Sequence, residues 1–316
     1  MNSTLAAPVV TDRFRSDVLF GLSLPQKRLS AKYFYDAEGS RLFDQITELD
    51  EYYPTRTEFE IMRKYAPDMA ERCGSRCLLI ELGAGSLTKA RLLLDRLDRP
   101  AGFVPVDVSG EHLHSAAREL ADDYPGLDVR PICADFTAEF HVPVRSTARK
   151  VVYFPGSTIG NFDPADAEDL LRKIARLVGP GGGLLLGVDL RKEPVTLEAA
   201  YNDRLGVTAA FNLNLLERMN RELGADFDTA GFRHRAFYNT VRSRIEMHLV
   251  STANQRVRIG DAEFPFRRGE SVHTENSYKY DLTELAKRAA ACGLRTDAVW
   301  TDAKQYFAVT YLTAAG

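Results

Sequence analysis

The sequence predicts an α/β protein in which helices cover both faces of a mainly parallel sheet, accompanied by a second α+β domain. Short apolar runs alternate with helical patterns between Cys77 and Leu190, and the first run ends in a glycine turn, Gly83-Ala84-Gly85. The alternation then stops over a long segment and resumes in a final helix and two strands. Buried parallel strands separated by helices are typical of this pattern.

Length and composition limit the possible classes. The chain has 316 residues, about twice the length of a usual domain, so two packing units are expected.

The charge balance excludes one class of partner. The 41 Lys+Arg and 44 Asp+Glu give a net charge of −3, without the basic excess that nucleic-acid binding requires. We find neither an apolar run of the roughly 18 residues that span a membrane nor a secretory signal. We therefore expect a cytoplasmic protein that binds neither nucleic acid nor membrane. Without heptads, it is expected to be a monomer.

The four cysteines, Cys73, Cys77, Cys133 and Cys292, are scattered along the chain. Their spacing matches neither a disulfide framework nor a pair of CxxC motifs that would complete a zinc site. We expect reduced cysteines with packing roles and no metal.

The N-terminal part is predicted to be helical without α/β alternation. An amphipathic stretch covers 13–20, an aromatic segment covers 32–36, and a second helical pattern covers 40–49. Pro54 suits the first turn of a further helix, which Pro67 is expected to end or kink.

The alternating region follows this part. The predicted strands are Leu78–Leu82, 103–108, 129–133, 151–154 and 184–190, and the predicted helices are 88–97, 111–122 and 165–177. Ligands of such sheets bind where the strand order reverses, at the carboxyl ends of the strands.

After Leu190 an inserted subdomain is predicted, because the segment is too long for a loop. It is expected to be mostly helical over 196–223 and strand-like over 233–238, 244–250 and 257–259. The tail is expected to form a helix over 282–292 and a hairpin of strands 297–300 and 306–312 at the edge of the sheet.

The glycine turn after the first strand marks a ligand site. Gly83 and Gly85 allow the backbone to approach a ligand closely and to adopt conformations that other residues resist. A dinucleotide fingerprint would place a third glycine where this chain has Thr88, so a nicotinamide or flavin oxidoreductase is disfavoured.

Two carboxylates follow on successive strand ends. Asp107 closes the second strand, where a carboxylate can accept hydrogen bonds from ribose hydroxyls. Asp135 closes the third and precedes Phe136, a pair that can bind an adenine amino group and the face of the base.

These features together resemble the class I S-adenosylmethionine (SAM) methyltransferases over roughly residues 57–190 and 280–316. The resemblance implies SAM as co-substrate. Thr88 and Lys89 are placed to meet its methionine carboxylate at the start of a helix. The implied cofactor-binding residues are Gly83, Ala84, Gly85, Thr88, Lys89, Asp107, Asp135 and Phe136.

Five further motifs, spread over nearly the whole chain, resemble the histidine Nα-methyltransferases of ergothioneine biosynthesis. The motifs are EYYPTRTE (51–58), FPGSTIGNFDP (154–164), AYNDRLGVTAAFN (200–212), IEM (245–247) and TENSYKY (274–280). The resemblance implies that SAM methylates the α-amino group of L-histidine three times, through the mono- and dimethylated forms, to give hercynine.

The resemblance also assigns the substrate site. Asn161 and Tyr201 are expected to hold the substrate carboxylate. Tyr52, Glu275 and Ser277 are expected to recognise the imidazole. Glu275 is expected in a polar loop, as an acceptor for a ring N–H.

Four other residues complete the implied site. Met247 is expected to shape the pocket beside Glu275. Tyr35 is expected close to the amine, where the Gly156 carbonyl accepts from it. Phe211 and the tyrosines are expected to stabilise the growing quaternary ammonium by cation–π contacts of roughly 0.5–2 kcal/mol each. Tyr278 is larger than we expect in this segment, which leaves the pocket shape open.

Methyl transfer from a sulfonium requires a neutral, aligned amine, so positioning is the main expected contribution. It needs neither a nucleophilic side chain nor a metal, and the substrate motifs contain no histidine that would serve as a base. Tyr35, acting through water, is the candidate base.

Two alternatives stay open: an Nα-methyltransferase of another aromatic amino acid, tryptophan or tyrosine, and a non-catalytic SAM-binding protein. Glu275 disfavours an indole substrate, because an indole pocket would not place a carboxylate where it has no donor. A silent SAM binder would have no use for residues that hold a substrate carboxylate, Asn161 and Tyr201.

The expected methyltransferase domain is discontinuous, 57–189 and 280–316. A substrate domain of 1–56 and 190–279 is expected to face it across a cleft.

Overall fold

The computed structural model describes residues 7–138, 140–142 and 148–316. The chain divides into two compact units. The first, which we call the insertion unit, extends to Tyr53 and resumes over Glu193–Ser277. The second, the sheet unit, comprises Pro54–Lys192 and Tyr278–Gly316.

The helices and strands have the following bounds. The helices are α1 (Ala7–Ser23), α2 (Ala37–Thr47), α3 (Tyr53–Cys73), α4 (Thr88–Leu94), α5 (Gly110–Asp123), α6 (Pro164–Val178), α7 (Pro194–Tyr201), α8 (Val207–Leu223) and α9 (Leu282–Ala291). The strands are β1 (Leu78–Leu82), β2 (Gly102–Asp107), β3 (Ile132–Cys133), β4 (Lys150–Phe154), β5 (Gly183–Asp189), β6 (Phe232–Asn239), β7 (Arg244–Ser251), β8 (Gln255–Ile259), β9 (Ala262–Phe266), β10 (Ser271–Tyr278), β11 (Leu294–Thr301) and β12 (Phe307–Ala314).

The sheet unit contains a seven-stranded sheet in the order β11-β12-β5-β4-β1-β2-β3. Strands β1 to β5 are parallel where they pair. Strand β12 runs antiparallel to β5, and β11 antiparallel to β12. The predicted α/β class and the closing hairpin are confirmed. The predicted third strand is shorter than expected, since Val129 forms only an isolated bridge to Phe103.

Alternate residues of the sheet enter two apolar cores, one on each face. Leu78 and Ile80 pack with Ile174 of α6 on one face, and Leu79 packs with Met62 of α3 on the other. Each fully buried side chain of this size contributes about 1.5–3 kcal/mol. The burial of both faces explains why these strands are almost wholly apolar.

Helix α3 continues through Pro67, so of the two predicted outcomes, an end or a kink, the end does not occur. Pro67 removes one backbone donor, but Met69, Ala70 and Cys73 beyond it are buried in the core. Their burial offsets the lost hydrogen bond. Pro54 lies in the first turn, as predicted.

The insertion unit has a three-stranded sheet in the order β10-β7-β6 and a separate hairpin of β8 and β9. Helices α7 and α8 pack on β6 and β7, and α2 packs on α8. The predicted helical segment 196–223 is interrupted between Tyr201 and Val207.

Two strands of the insertion unit were not predicted. Strand β9 was missed, and the segment around Glu275 is strand β10 rather than a polar loop. Its buried members include Val272 and Thr274, but the surrounding residues are polar, which hides the alternation. The expectation of a loop at Glu275 is therefore wrong.

The four cysteines are free thiols, and only Cys133 is exposed. Among the described helices, none combines the length and the apolar character needed to cross a bilayer.

Candidate active site

The glycine turn of the sheet unit connects β1 to α4, which begins at Thr88. Gly83 and Gly85 have φ angles of 68° and 49°, in the left-handed region that favours glycine. The N–H groups of Gly83 and Ala84 donate to the Val106 carbonyl at 2.9 and 3.2 Å. These bonds bend the chain at the carboxyl end of the sheet.

Asp107 lies against this turn. One carboxylate oxygen accepts from the Ser109 N–H at 2.8 Å, and the other lies 3.4 Å from the Gly85 nitrogen. The carboxylate is partly exposed, so it retains acceptor capacity beside the turn.

Asp135 and Phe136 follow the end of β3. The Asp135 carboxylate accepts from the N–H of Thr137 at 3.0 Å and from its hydroxyl. The Phe136 ring packs edge-on against Phe154 and Phe162, with centroid distances of 5.4 and 6.2 Å. Phe136 is half-buried, and a hypothetical Cβ on Gly83 would contact its ring at 3.7 Å.

Lys89 forms an ion pair with Glu58 of α3, whose side chain is fully buried. Both oxygens of Glu58 also accept from the Gly156 N–H, at 3.0 Å each. A side chain at Gly187 of β5 would collide with the Glu58 carboxylate. Glu58 therefore connects α3 to the first turn of α4 and to the segment after β4. Lys89, the lysine expected to meet the cofactor, is paired with Glu58 in this structure.

The segment after β4 is held at a second point. Gly156 and Ser157 both have positive φ angles, 72° and 56°. The Ser157 hydroxyl accepts from the Asp189 N–H at 2.9 Å. Burial opposes ionisation of Asp189, but ion pairs with Lys279 at 2.8 Å and Lys192 at 2.6 Å keep the pKa of its carboxyl below the ordinary value.

Asn161 ends the short 3-10 helix Thr158–Asn161 and is partly exposed. A Cβ on the preceding Gly160 would lie 2.9 Å from the Tyr278 carbonyl, so glycine is required for this close approach. The Tyr278 hydroxyl donates to Asp163 at 2.9 Å. The Tyr278 side chain, which is larger than expected from the sequence, is therefore held by a hydrogen bond within the sheet unit.

Glu81 is a further polar group of this unit that the sequence did not single out. It lies in β1, two residues before the glycine turn, and is almost completely buried. Burial raises the pKa of its carboxyl well above the ordinary value. A proton on this carboxyl avoids a third charge beside Glu58 and Asp107.

In the insertion unit, five aromatic rings form a continuous series. Tyr35 contacts Phe211 at 5.9 Å and Phe43 at 5.6 Å between ring centroids. Phe43 contacts Tyr52, and Tyr52 contacts Tyr201, both at 6.3 Å. The structure thus brings together four of the predicted aromatic residues and adds Phe43, which sequence reasoning missed.

Tyr201 is held by hydrogen bonds at its side chain and at its backbone. Its hydroxyl donates to the Ser277 hydroxyl at 2.8 Å, and its carbonyl accepts from Nε2 of His234 at 2.8 Å. Nδ1 of His234 accepts from the Asn212 amide at 2.9 Å. Burial lowers the pKa of His234, so the ring stays neutral and keeps this pattern of one donor and one acceptor.

The start of α8 positions Phe211. Gly206 has a φ of 73°, and the Asp203 carboxylate then accepts from the N–H groups of Val207 and Thr208 at 2.9 and 2.8 Å. These bonds satisfy donors that the first turn leaves unpaired. Phe211 follows one turn later and is buried.

Tyr35 is positioned by its neighbour Asp36. Asp36 caps α2 by accepting from the Gly39 N–H at 2.7 Å, and it also accepts from the Asn214 amide at 2.8 Å. Arg221 forms an ion pair with the same carboxylate. The aromatic segment is thereby fastened to α8.

Met247 and Glu275 lie on neighbouring strands β7 and β10. Met247 is buried, and its carbonyl accepts from the Thr274 hydroxyl at 3.1 Å. Glu275 is partly buried, and its carbonyl accepts from Nε2 of His273 at 3.1 Å. The predicted imidazole acceptor is therefore carried by a paired strand.

Besides Glu81, sequence reasoning missed Glu58, Phe43 and His234. Glu58 closes the 51–58 motif, so its place in a motif was the available signal. Phe43 is an apolar position of a helix, and nothing in the sequence distinguishes it from core. His234 contacts residues distant in sequence, which only the fold brings together.

Comparison with known proteins identifies the family. A model described as histidine-specific, SAM-dependent methyltransferase matches residues 14–314. The chain belongs to this family. It is 43% identical to the histidine N-alpha-methyltransferase of Mycolicibacterium smegmatis, with 94% of both chains covered.

More distant relatives are consistent with this family. The chain is 29% identical to ergothioneine biosynthesis protein 1 of Neurospora crassa, over 89% of this chain and 32% of that protein. The structure is also similar to mitomycin 7-O-methyltransferase MmcR, with a TM-score of 0.51, 15% identity and coverage of 98% and 73% of the two chains. This last likeness shows the fold alone.

Proposed function

We propose that this methyltransferase transfers three methyl groups in succession from SAM to the α-amino group of L-histidine and forms hercynine. The observation that carries the proposal is the 43% identity to a histidine N-alpha-methyltransferase across 94% of both chains. The relative named for ergothioneine biosynthesis supports a role in the same pathway.

SAM is proposed to bind at the carboxyl ends of β1, β2 and β3. Asp107 would accept from the ribose hydroxyls and Asp135 from the adenine amino group, with Phe136 beside the base. Gly83 and Gly85 leave the backbone open to close approach. These side chains bind and orient, and they supply no nucleophile.

Histidine recognition is proposed to involve Glu275 and the Tyr201–Ser277 pair. Glu275 would accept from the imidazole N–H, which needs a partner once buried. The Tyr201 hydroxyl, which lies 2.8 Å from the Ser277 hydroxyl, would hold the substrate carboxylate, and Ser277 would contact the imidazole. Asn161 would donate its amide to the carboxylate.

The reaction itself is a displacement at the SAM methyl carbon. The lone pair of the neutral amine forms the new C–N bond while the C–S bond breaks, and positive charge moves from sulfur to nitrogen. Alignment of these atoms is the main contribution of the protein. The rings of Tyr35, Phe211 and Tyr52 would stabilise the methylated cation, each contact by roughly 0.5–2 kcal/mol.

Mass spectrometry tests the proposal. The protein is incubated with SAM and each proteinogenic amino acid in turn, and the products are weighed. Histidine is expected to gain three methyl groups. A protein that trimethylates tryptophan or tyrosine instead, or methylates none of the amino acids, would overturn the proposal.

Glu275→Gln tests the proposed recognition of imidazole. We expect kcat/KM for histidine to fall roughly 30-fold, because a hydrogen bond to a charged group contributes about 1.5–3 kcal/mol, while SAM affinity is unchanged. Glu263→Gln on β9 is the matched control, since Glu263 is exposed and paired with Arg256. Equal activity of the two variants would exclude this role of Glu275.

A further inference from the structure

Three potential metal ligands meet on the sheet of the insertion unit, apart from the aromatic series. Glu246 and His248 lie on β7 and His273 on β10, and one ligand atom from each lies within 4.8 Å of the other two. Glu246 and His248 flank Met247, and alternate residues of a strand point to opposite faces. The group therefore lies on the face of the sheet opposite Met247.

Each imidazole has at least one nitrogen held by a neighbouring oxygen. Nε2 of His273 donates to the Glu275 carbonyl at 3.1 Å, which leaves Nδ1 with its lone pair. Nδ1 of His248 lies 3.2 Å from the Ser271 hydroxyl. Histidines that bind metals usually have their second nitrogen held in this way, because the contact fixes the ring and the tautomer.

The carboxylate of Glu246 is similarly oriented by one of its oxygens. Oε1 accepts from Arg244 at 2.8 Å and from the Asn239 amide at 2.9 Å. Oε2 faces Nε2 of His248 at 3.2 Å. The second oxygen therefore points at the His248 ring.

We propose that Glu246, His248 and His273 form a binding site for a borderline transition-metal ion of the Zn²⁺ type. Two imidazoles and a carboxylate are a ligand set that zinc uses in proteins, and nitrogen ligands disfavour Mg²⁺ and Ca²⁺. The ion would connect β7 to β10. Because His273 is partly exposed, it gives solvent access to the group.

Binding requires two local rearrangements. The proton that Nε2 of His248 shares with Glu246 moves to Nδ1, and the Ser271 hydroxyl reverses to accept it, so no proton is lost. The rings of His248 and His273 stack at 4.7 Å and 13°, so they must tilt until their lone pairs converge. The neighbouring Arg244 opposes a cation and lowers the affinity.

The test is zinc binding to the full chain without histidine, which is itself a chelator, and without SAM. Competition with a chromophoric chelator gives the zinc affinity, and Co²⁺ in place of Zn²⁺ gives a visible spectrum that reports nitrogen ligation. Wild-type protein is expected to bind one equivalent. His273→Gln and His248→Gln are each expected to bind at least about tenfold more weakly.

His114→Gln is the matched control, because His114 is an exposed histidine of α5 in the sheet unit. It is expected to bind zinc like wild type. Circular dichroism and SAM binding establish that each variant is folded. Zinc binding is measured without substrate, so an absence of zinc binding would not count against the proposed methylation of histidine.

Two results would overturn the proposal. One is the absence of zinc binding by wild-type protein at submillimolar zinc. The other is a folded His248→Gln/His273→Gln double variant that binds zinc as tightly as wild type, which would place the ion elsewhere.

Discussion

The two units differ in what forms their proposed binding surfaces. In the sheet unit, backbone conformation dominates: two glycines with positive φ form the turn, and carboxylates at strand ends accept from backbone N–H groups. In the insertion unit, side chains contact one another in the aromatic series from Tyr35 to Tyr201. A cofactor shared by many enzymes can be bound by a common backbone frame, whereas a particular substrate requires particular side chains.

The largest effect is expected where a side chain supports the backbone frame. Glu58→Ala would leave the Gly156 N–H without its acceptor and the Lys89 ammonium without its counter-charge. Loss of one partner of a buried ion pair costs about 3–5 kcal/mol, and we expect the lower end because Lys89 is partly exposed.

Chemical denaturation measures this loss, and Glu60→Ala on the exposed side of the same helix is its control. If Glu58→Ala were as stable as the control, the sheet unit would not depend on this side chain, and the contrast between the units would sharpen.

Asp107→Ala is expected to weaken SAM binding roughly 30-fold, because hydrogen bonds to a charged acceptor contribute about 1.5–3 kcal/mol. The aromatic series should be unaffected. Isothermal titration calorimetry with SAM measures the change, with Asp122→Ala on the exposed face of α5 as control. Unchanged affinity would exclude Asp107 from the cofactor site.

Acid is expected to destabilise the insertion unit selectively. Burial and the neighbouring His248 lower the pKa of His273 to about 4, while Arg244 adds to the lowering and Glu246 opposes it. Burial also lowers the pKa of His248. The folded state therefore disfavours protonation, and stability is lost as the pH falls from the ordinary pKa near 6.5 towards 4.

For His273 this loss amounts to about 2 kcal/mol between pH 7 and pH 5. Hydrogen exchange should show faster exchange at pH 5 in β7 and β10 than in β1 and β4, after correction for the intrinsic rates. His273→Gln should reduce the difference. Uniform loss of protection in both units would contradict a selective effect.

The smallest effect is expected for Tyr201→Phe, which removes the hydrogen bond to Ser277 but keeps the ring. A neutral hydrogen bond contributes about 1 kcal/mol, so KM for histidine should rise roughly fivefold while SAM affinity stays constant. Steady-state kinetics measures both. A change in SAM affinity instead would break the separation of roles between the units.

The sequence predicted the sheet unit far better than the insertion unit. Strands buried on both faces are apolar throughout, so the pattern from Leu78 onward was clear. Strand β10 was taken for a loop because its polar residues mask the buried Val272 and Thr274. Local pattern fails where polar residues occupy both faces of a strand.

The candidate site shows a similar limit. The glycine turn and Asp107 could be located from spacing alone, because each lies at a strand end. Tyr52, Tyr201 and Glu275 came only from motif resemblance, since nothing in periodicity separates a substrate tyrosine from a packed one. Contacts such as Glu58 with Gly156 join residues remote in sequence, and no local signal exists for them.

Gly187 has a consequence for sequence variation. The strand leaves a gap at this position that the Glu58 carboxylate fills, so we expect the residues at 58 and 187 to vary together. In related chains, a larger residue at 187 should accompany a shorter one at 58. Any attempt to transplant the segment around Gly156 into another scaffold must carry the acid and the glycine with it.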